Sequence, residues 1–274
     1  MTAVATPVVS FLSDFGLSDQ YVGICEGVIL RRCPEARVIH LTHGIDPASV
    51  ALGARVLAGA MPFLPVGVHM AVVDPGVGSE RRALALRSGD GRLFVGPDNG
   101  LLVPAAEASG GITEAVHITN PAHMLEPVSR TFHGRDIFAP AAGSLAAGLA
   151  LAELGDAVDP GSLTRASTPG YDLDGTALRV SVQHVDRFGN VQVSAAPGDL
   201  GATFSPGGRA EVITRDDRYY VQCAATFADV DRGELVLYED SDGSLSIAVN
   251  RGNAAELLDV VPGDPITVEF APGA

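Results

Sequence analysis

Cysteine is scarce in this chain. Its three thiols, Cys25, Cys33 and Cys223, form no CxxC and no set with histidines at zinc-ligand spacing. The odd count argues against a disulfide framework and makes buried free thiols in a reducing compartment the expectation. Basic residues are also few: 18 Lys plus Arg stand against 33 Asp plus Glu, a formal charge of -15. A surface of that sign repels phosphate backbones, so nucleic acid is not an expected partner. It tolerates a cationic small molecule, although acidity of this order also simply keeps a protein soluble. Long apolar runs are missing. The greasiest region, residues 52–73, carries Arg55, His69 and two prolines, which excludes a spanning helix. The opening MTAVATPVVSFLSDFG has no basic segment and its apolar stretch stops at Asp14, so no signal peptide is expected. The expected location is the cytoplasm, with no membrane partner. GxSxG, GxxxxGK[ST] and HExxH are all absent.

What is present is an ordinary globular composition, 46% apolar and 19% charged. Two halves read differently. Up to about Gly155, short β-branched runs alternate with helical stretches: strands at 8–13, 36–41, 67–73, 83–87 and 92–95, and helices at 20–33, 47–61 and 136–154. Asp19 is placed to cap the first helix, Asp136 to cap the Ala/Leu-rich one, and Gly155 to close it. This order predicts an α/β domain, residues 1–160, with a mainly parallel sheet covered on both faces. Residues 161–176 have the Gly, Pro, Asp and Ser content of a linker. From 177 to 274 strands follow closely, at 177–185, 191–194, 209–214, 218–222, 234–238, 244–249 and 265–270, as in a small β-barrel domain.

Polar residues collect where strands end. Asp14 closes the first strand in SDFG, and Asp74 closes another in DPGVGSERR. In open α/β sheets the carboxyl ends of strands line the ligand crevice, and a carboxylate there suits a ribose diol or a polarised water. Either motif alone is also what a plain turn looks like. His133, Arg135 and Asp136 form a second knot in TFHGRD. Phe188 and Asn190 in DRFGNV offer a face to stack a planar heterocycle and an amide to bond its edge, and FGN is equally a hairpin turn.

Taken jointly, SDFG (13–16), DPGVGSERR (74–82), GPDNGLL (96–102), TFHGRD (131–136), DRFGNV (186–191) and SDGSLSIAVNRGNAA (241–255) resemble the S-adenosyl-L-methionine (SAM) hydroxide adenosyltransferases, relatives of the SAM-dependent fluorinases and chlorinases. The six motifs run in the same order from about residue 7 to 260. The resemblance implies a homotrimer with active sites at subunit interfaces. It also implies an Asp–Arg–His set acting on water, matched here by Asp74, Arg81 and His133, with Arg82 a neighbouring alternative. Asp14 matches the carboxylate on the ribose hydroxyls and Asp186 the group near the methionine ammonium. Phe188 and Asn190 match the adenine-side pair and Ser241 the contact to the methionine carboxylate. Asp19 is a further amino-acid-side candidate, and a backbone contact to adenine falls around Val249. The halogenases have tyrosine where this chain has Asp74, and the fluorinase serine corresponds to Gly134.

The implied reaction is hydrolysis of SAM to adenosine and L-methionine. Its C5′ carbon carries a sulfonium, so methionine leaves as a neutral thioether and the enzyme's task is to supply an aligned nucleophile. Asp74 would accept the proton of water, Arg81 would stabilise developing hydroxide, and His133 would orient the water. No metal and no cofactor are expected, SAM being the substrate. Rival readings are a SAM-dependent halogenase, a metal hydrolase using Asp14, Asp74, Asp98 and His133, and a non-catalytic SAM or adenosine sensor.

Overall fold

A computed structural model of the chain describes residues 6–166, 170–215 and 217–271. The chain divides into two compact units, residues 1–167 and 168–274. In the first, the elements run β1 (Val8–Ser13), α1 (Tyr21–Arg32), β2 (Arg37–Thr42), α2 (Val50–Ala60), β3 (Val68–Val72), β4 (Ala83–Ser88), β5 (Leu93–Pro97), α3 (Val103–Ala108), β6 (Ile112–Ile118), α4 (Ala139–Ala146) and β7 (Gly155–Ala157). The seven strands form one sheet in the order β2-β1-β3-β5-β4-β6-β7. β2, β1, β3 and β5 pair parallel, while β4 and β7 run against their neighbours.

Alternation along β1 explains how the sheet is sandwiched. Val9 and Phe11 join α1 and α4 in one core, whereas Leu12 joins α2 and α3 in the core on the other face. Side chains that point to opposite faces at successive positions can do this only if both faces are covered. Burying Phe11, Leu12 or Leu57, each fully buried, stabilises the unit by roughly 1.5–3 kcal/mol apiece. The small residues of α4 (APAAGSLA) serve close packing: a Cβ at Gly143 would lie 2.7 Å from Arg32 Cβ and 2.8 Å from Ile29 O on α1.

The second unit comprises β8 (Asp172–Asp174), β9 (Ala177–Val185), β10 (Val191–Val193), α5 (Pro197–Leu200), β11 (Arg209–Ile213), β12 (Arg218–Cys223), β13 (Leu235–Glu239), β14 (Leu245–Val249), α6 (Ala254–Leu258) and β15 (Pro265–Phe270). The order β10-β14-β13-β12-β11-β15-β9 closes on itself through β9–β10, with β8 added outside β9. Closure removes the free edges that an open sheet of this size would expose. Leu178, Val182, Val212, Leu237, Ile247 and Val268 fill its interior.

The fold class is therefore the expected one, with local corrections. α1 is preceded by Gln20, not capped by Asp19, and no side-chain oxygen bonds its first turn. The helix expected over 136–154 is shorter: α4 ends at Ala146, and Gly148, at φ +96, supplies the left-handed step that stops it. Gly155 instead opens β7. α3 and β6 add to the expected elements; VPAAEA is too short to show a helical period and ITEAVHI carries a charge mid-run. Part of the segment read as linker is ordered, since β8 pairs with β9. The three cysteines are unpaired and buried. Among the described residues, no helix is long and apolar enough to cross a membrane.

Candidate active site

Because β1, β2, β3 and β5 run parallel, their carboxyl ends share one edge of the sheet. The residues that follow them there are Asp14, His43, Asp74 and Asp98. Asp74 opens a double turn. Val77 N–H donates to Asp74 O at 3.2 Å, Ser79 Oγ donates to Gly76 O at 2.6 Å, and Arg81 N–H bonds back to Ser79 Oγ at 3.3 Å. That hairpin-like path returns the Arg81 side chain onto Asp74. The turn also needs Gly78, whose φ is +78 and whose missing Cβ leaves room for Arg130 O.

Arg81 Nε donates to both oxygens of Asp74, at 3.0 and 3.1 Å, and Nη2 bonds Oδ2 as well. The same Nη2 bonds His133 Nδ1 at 2.7 Å. Asp74 and Arg81 are almost wholly buried, at 6% and 10% side-chain exposure, and the guanidinium lies 5.3 Å from the centre of the Phe138 ring. Three residues from two distant stretches of sequence are thus one bonded cluster.

Its protonation follows from chemistry. A guanidinium only donates, so His133 Nδ1 must accept, and the proton of the neutral ring sits on Nε2. Burial first, and then the neighbouring Arg81, hold His133 below its ordinary value. Nε2–H is therefore a donor for a ligand. Asp74, with both oxygens on Arg81, retains unused lone pairs that accept a further proton donor.

His133 is held by the turn that feeds α4. Residues 134–138 form one wide π-type turn between His133 and α4, a local expansion common at functional sites. Asp136 does not cap that helix. Its buried carboxylate accepts from Ser129 N–H at 2.8 Å and from Arg135 Nε at 2.6 Å, which pins the 129–136 loop. A Cβ on Gly134 would come within 2.9 Å of the Phe15 ring, part of an edge-to-face set with Tyr21 and Phe132.

Asp14 stands on the neighbouring strand end. Its Oδ2 accepts from Ala48 N–H at 3.2 Å, and burial pushes its carboxyl above the ordinary value. Ala48, at φ +65, gave no sequence signal, since no glycine or asparagine marks the position. Arg82 and Asp98 leave the cluster: they pair with each other, Arg82 also donates to Ser162 O at 2.7 Å, and Asp98 accepts from Thr164 N–H at 2.9 Å. Asn99, unread in GPDNG, secures the end of β3 through Val73 O at 2.8 Å. Asp19 is exposed in the loop between β1 and α1, apart from the cap position expected of it.

In the barrel, Asp186, Phe188 and Asn190 share one turn. Asp186 Oδ1 accepts from Phe188 N–H at 2.8 Å and Asn190 N–H at 2.9 Å, and Oδ2 from Asn190 Nδ2 at 2.7 Å. Gly189, at φ +81, turns the chain where any Cβ would strike Asn253. Phe188 is thereby held outward at 65% exposure, with Arg187 against its ring at 5.2 Å. Ser241 sits exposed in the turn that Asp240 organises by accepting from Asp242 N–H and Ser244 N–H. Val249 is different: its side chain is buried in the barrel core, and its carbonyl already accepts from Gly252 N–H at 3.1 Å.

Among the described residues, no group of three or more His, Cys, Asp or Glu is arranged to hold a metal ion. A buried carboxylate–guanidinium–imidazole cluster at the carboxyl ends of parallel strands, in a chain that also carries a closed barrel with an outward aromatic, defines a two-unit protein equipped for small-molecule chemistry. The models of the SAM hydroxide adenosyltransferase N-terminal and C-terminal domains match residues 9–155 and 180–267, and the chain belongs to that family. It is 49% identical to the (R)-S-adenosyl-L-methionine hydrolase of Salinispora tropica, over 96% of this chain and 98% of that one. A fluorinase of Actinoplanes sp. is more distant, at 29% over 99% and 100% of the two chains. A crystal structure of an uncharacterized conserved protein from Thermotoga maritima, 36% identical, superposes with a TM-score of 0.88 over 95% of this chain and 99% of that one.

Proposed function

We propose that this chain hydrolyses S-adenosyl-L-methionine to adenosine and L-methionine by in-line attack of an activated water on C5′, with Asp74, Arg81 and His133 as the catalytic set. Its relatives at up to 49% identity carry the (R) designation, so the proposed substrate is the (R) epimer at sulfur. The observation that carries the mechanism is Arg81 bonding Asp74 and His133 at once. Water placed there donates to Asp74 and accepts from His133 Nε2–H, which points an oxygen lone pair away from both. Arg81 lies beside both groups and offsets negative charge as hydroxide character grows. A base of this kind contributes roughly 10²–10⁴-fold, and alignment against C5′ adds to it.

Asp14 holds the ribose hydroxyls, Phe188 and Asn190 the adenine, and Asp186 and Ser241 the amino-acid end, with the main chain at Val249 near the purine. Phe188 supports this by being held outward rather than packed. The assembly is a homotrimer whose active sites are shared between subunits, in the cytoplasm, and the reaction uses no cofactor or metal. Asp74→Asn tests the set. It should keep SAM affinity while turnover falls at least about a hundredfold; unchanged turnover removes Asp74 from the mechanism.

A further inference from the structure

A chain of polar contacts runs from Ser13 of the SDFG motif to His43, His40 and Glu26, three residues outside every motif described above. Ser13 Oγ bonds His43 Nδ1 at 2.7 Å, His43 Nε2 bonds His40 Nδ1 at 2.8 Å, and His40 Nε2 meets Glu26 Oε2 at 3.4 Å. The chain begins at a fully buried serine on β1 and ends at half-exposed side chains on β2 and α1. His43 is itself buried, its ring edge-on to Phe11 at 4.7 Å.

Donor and acceptor roles follow from the outer end inward. The Glu26 carboxylate, 3.4 Å away, favours a proton on His40 Nε2, and in that tautomer Nδ1 is the acceptor. His43 then donates from Nε2. Burial and the adjacent His40 push His43 down to about 4, so it has one proton and Nδ1 is bare. Ser13 must donate to that nitrogen, which turns the Ser13 lone pairs toward Phe15 N–H at 3.3 Å. The carbonyl of His43 also accepts from Gly16 N–H at 2.8 Å. His43 thus grips the S-D-F-G turn on both sides of Asp14, and the loop that follows it supplies the Ala48 N–H to the Asp14 carboxylate.

We propose that His43 is a positioning residue for Asp14, with its tautomer fixed from the surface by the His40–Glu26 pair. This rests on the reading of Asp14 as a ribose ligand. It makes Glu26 and His40, which bond neither Asp14 nor the Asp74–Arg81–His133 cluster, determinants of substrate affinity.

The test has a spectroscopic arm and a kinetic arm. Nitrogen-15 NMR of histidine-labelled protein should show His43 protonated on Nε2, and in Glu26→Ala that preference should weaken. Glu26→Ala should raise KM about threefold to tenfold, the scale of one hydrogen bond, with kcat within twofold of the parent. His43→Leu should raise KM further, and His43→Asn, which keeps an acceptor near the Nδ1 position, should recover most of the loss. If His43→Leu fails to fold, Glu26→Ala and His40→Gln carry the kinetic arm. A His43 proton on Nδ1, an unchanged KM in Glu26→Ala, or an effect confined to kcat would overturn the proposal. Absence of SAM hydrolysis in the parent protein would instead overturn the functional reading, leaving the tautomer result standing.

Discussion

At the scale of residues, His133 is the member of the cluster whose protonation is visible in the geometry. Protonating Nδ1 would set an N–H against the Arg81 Nη2–H at 2.7 Å, two donors facing each other. The fold therefore favours the neutral ring and lowers its pKa from 6.5. The sign is then fixed. The stabilisation is present above the unfolded value and is lost as pH falls through the folded one. Turnover should show an acid limb centred below 6.5, read from kcat against pH; activity that instead falls as pH rises through this range would mean that the charged ring is the active form. Gly134 gives a second expectation at this scale. Serine there must displace Phe15, so Gly134→Ser should lower hydrolysis several-fold, and product analysis with fluoride should show no 5′-fluoro-5′-deoxyadenosine. Appearance of that product would show that the glycine alone excludes halide.

Among elements, the central parallel strands β1 and β3 were legible because they are almost wholly buried. Runs such as VVSFLS and VHMAV have no alternation to confuse with a helix once flanking turns are noted. The short pieces were not. VPAAEA has too few residues to show a period, and the π-type turn leaves no trace in GRDIF. For the site, strand-end carboxylates and the TFHGRD loop could be read from sequence, but their joining through Arg81 depends on the 74–81 turn. No residue pattern reports that the turn folds the arginine back. Gly78 carries this turn, and Gly78→Ala places a Cβ against Arg130 O at a left-handed φ. Destabilisation of about 1–3 kcal/mol is expected, seen as a Tm lower by several degrees together with reduced turnover. An unchanged Tm and rate would show that the turn tolerates another path.

For the whole molecule, the candidate residues fall into two sets on two units. Asp14, Asp74, Arg81 and His133 belong to the α/β unit, and Asp186, Phe188, Asn190, Ser241 and Val249 to the barrel. The motif resemblance proposes both sets and implies sites completed between subunits, which composition and periodicity alone do not report. A shared site makes a specific demand. Asp74→Asn and Phe188→Ala proteins, each nearly inactive alone, should regain activity after mixing and subunit exchange, because some sites then combine two unaltered sets. No recovery in mixtures whose exchange is confirmed by mass would mean that each chain completes its own site.

In the proposed reaction, water turned by the Asp74–Arg81–His133 cluster forms a bond to C5′ as the sulfonium leaves. Incubating the enzyme with (R)-S-adenosyl-L-methionine in oxygen-18 water, followed by mass spectrometry of the products, follows that oxygen atom. Adenosine carrying one heavy oxygen at its 5′ position and unlabelled methionine are the expected products. Methylthioadenosine as the nucleoside product, or adenosine without the label, would contradict this reaction.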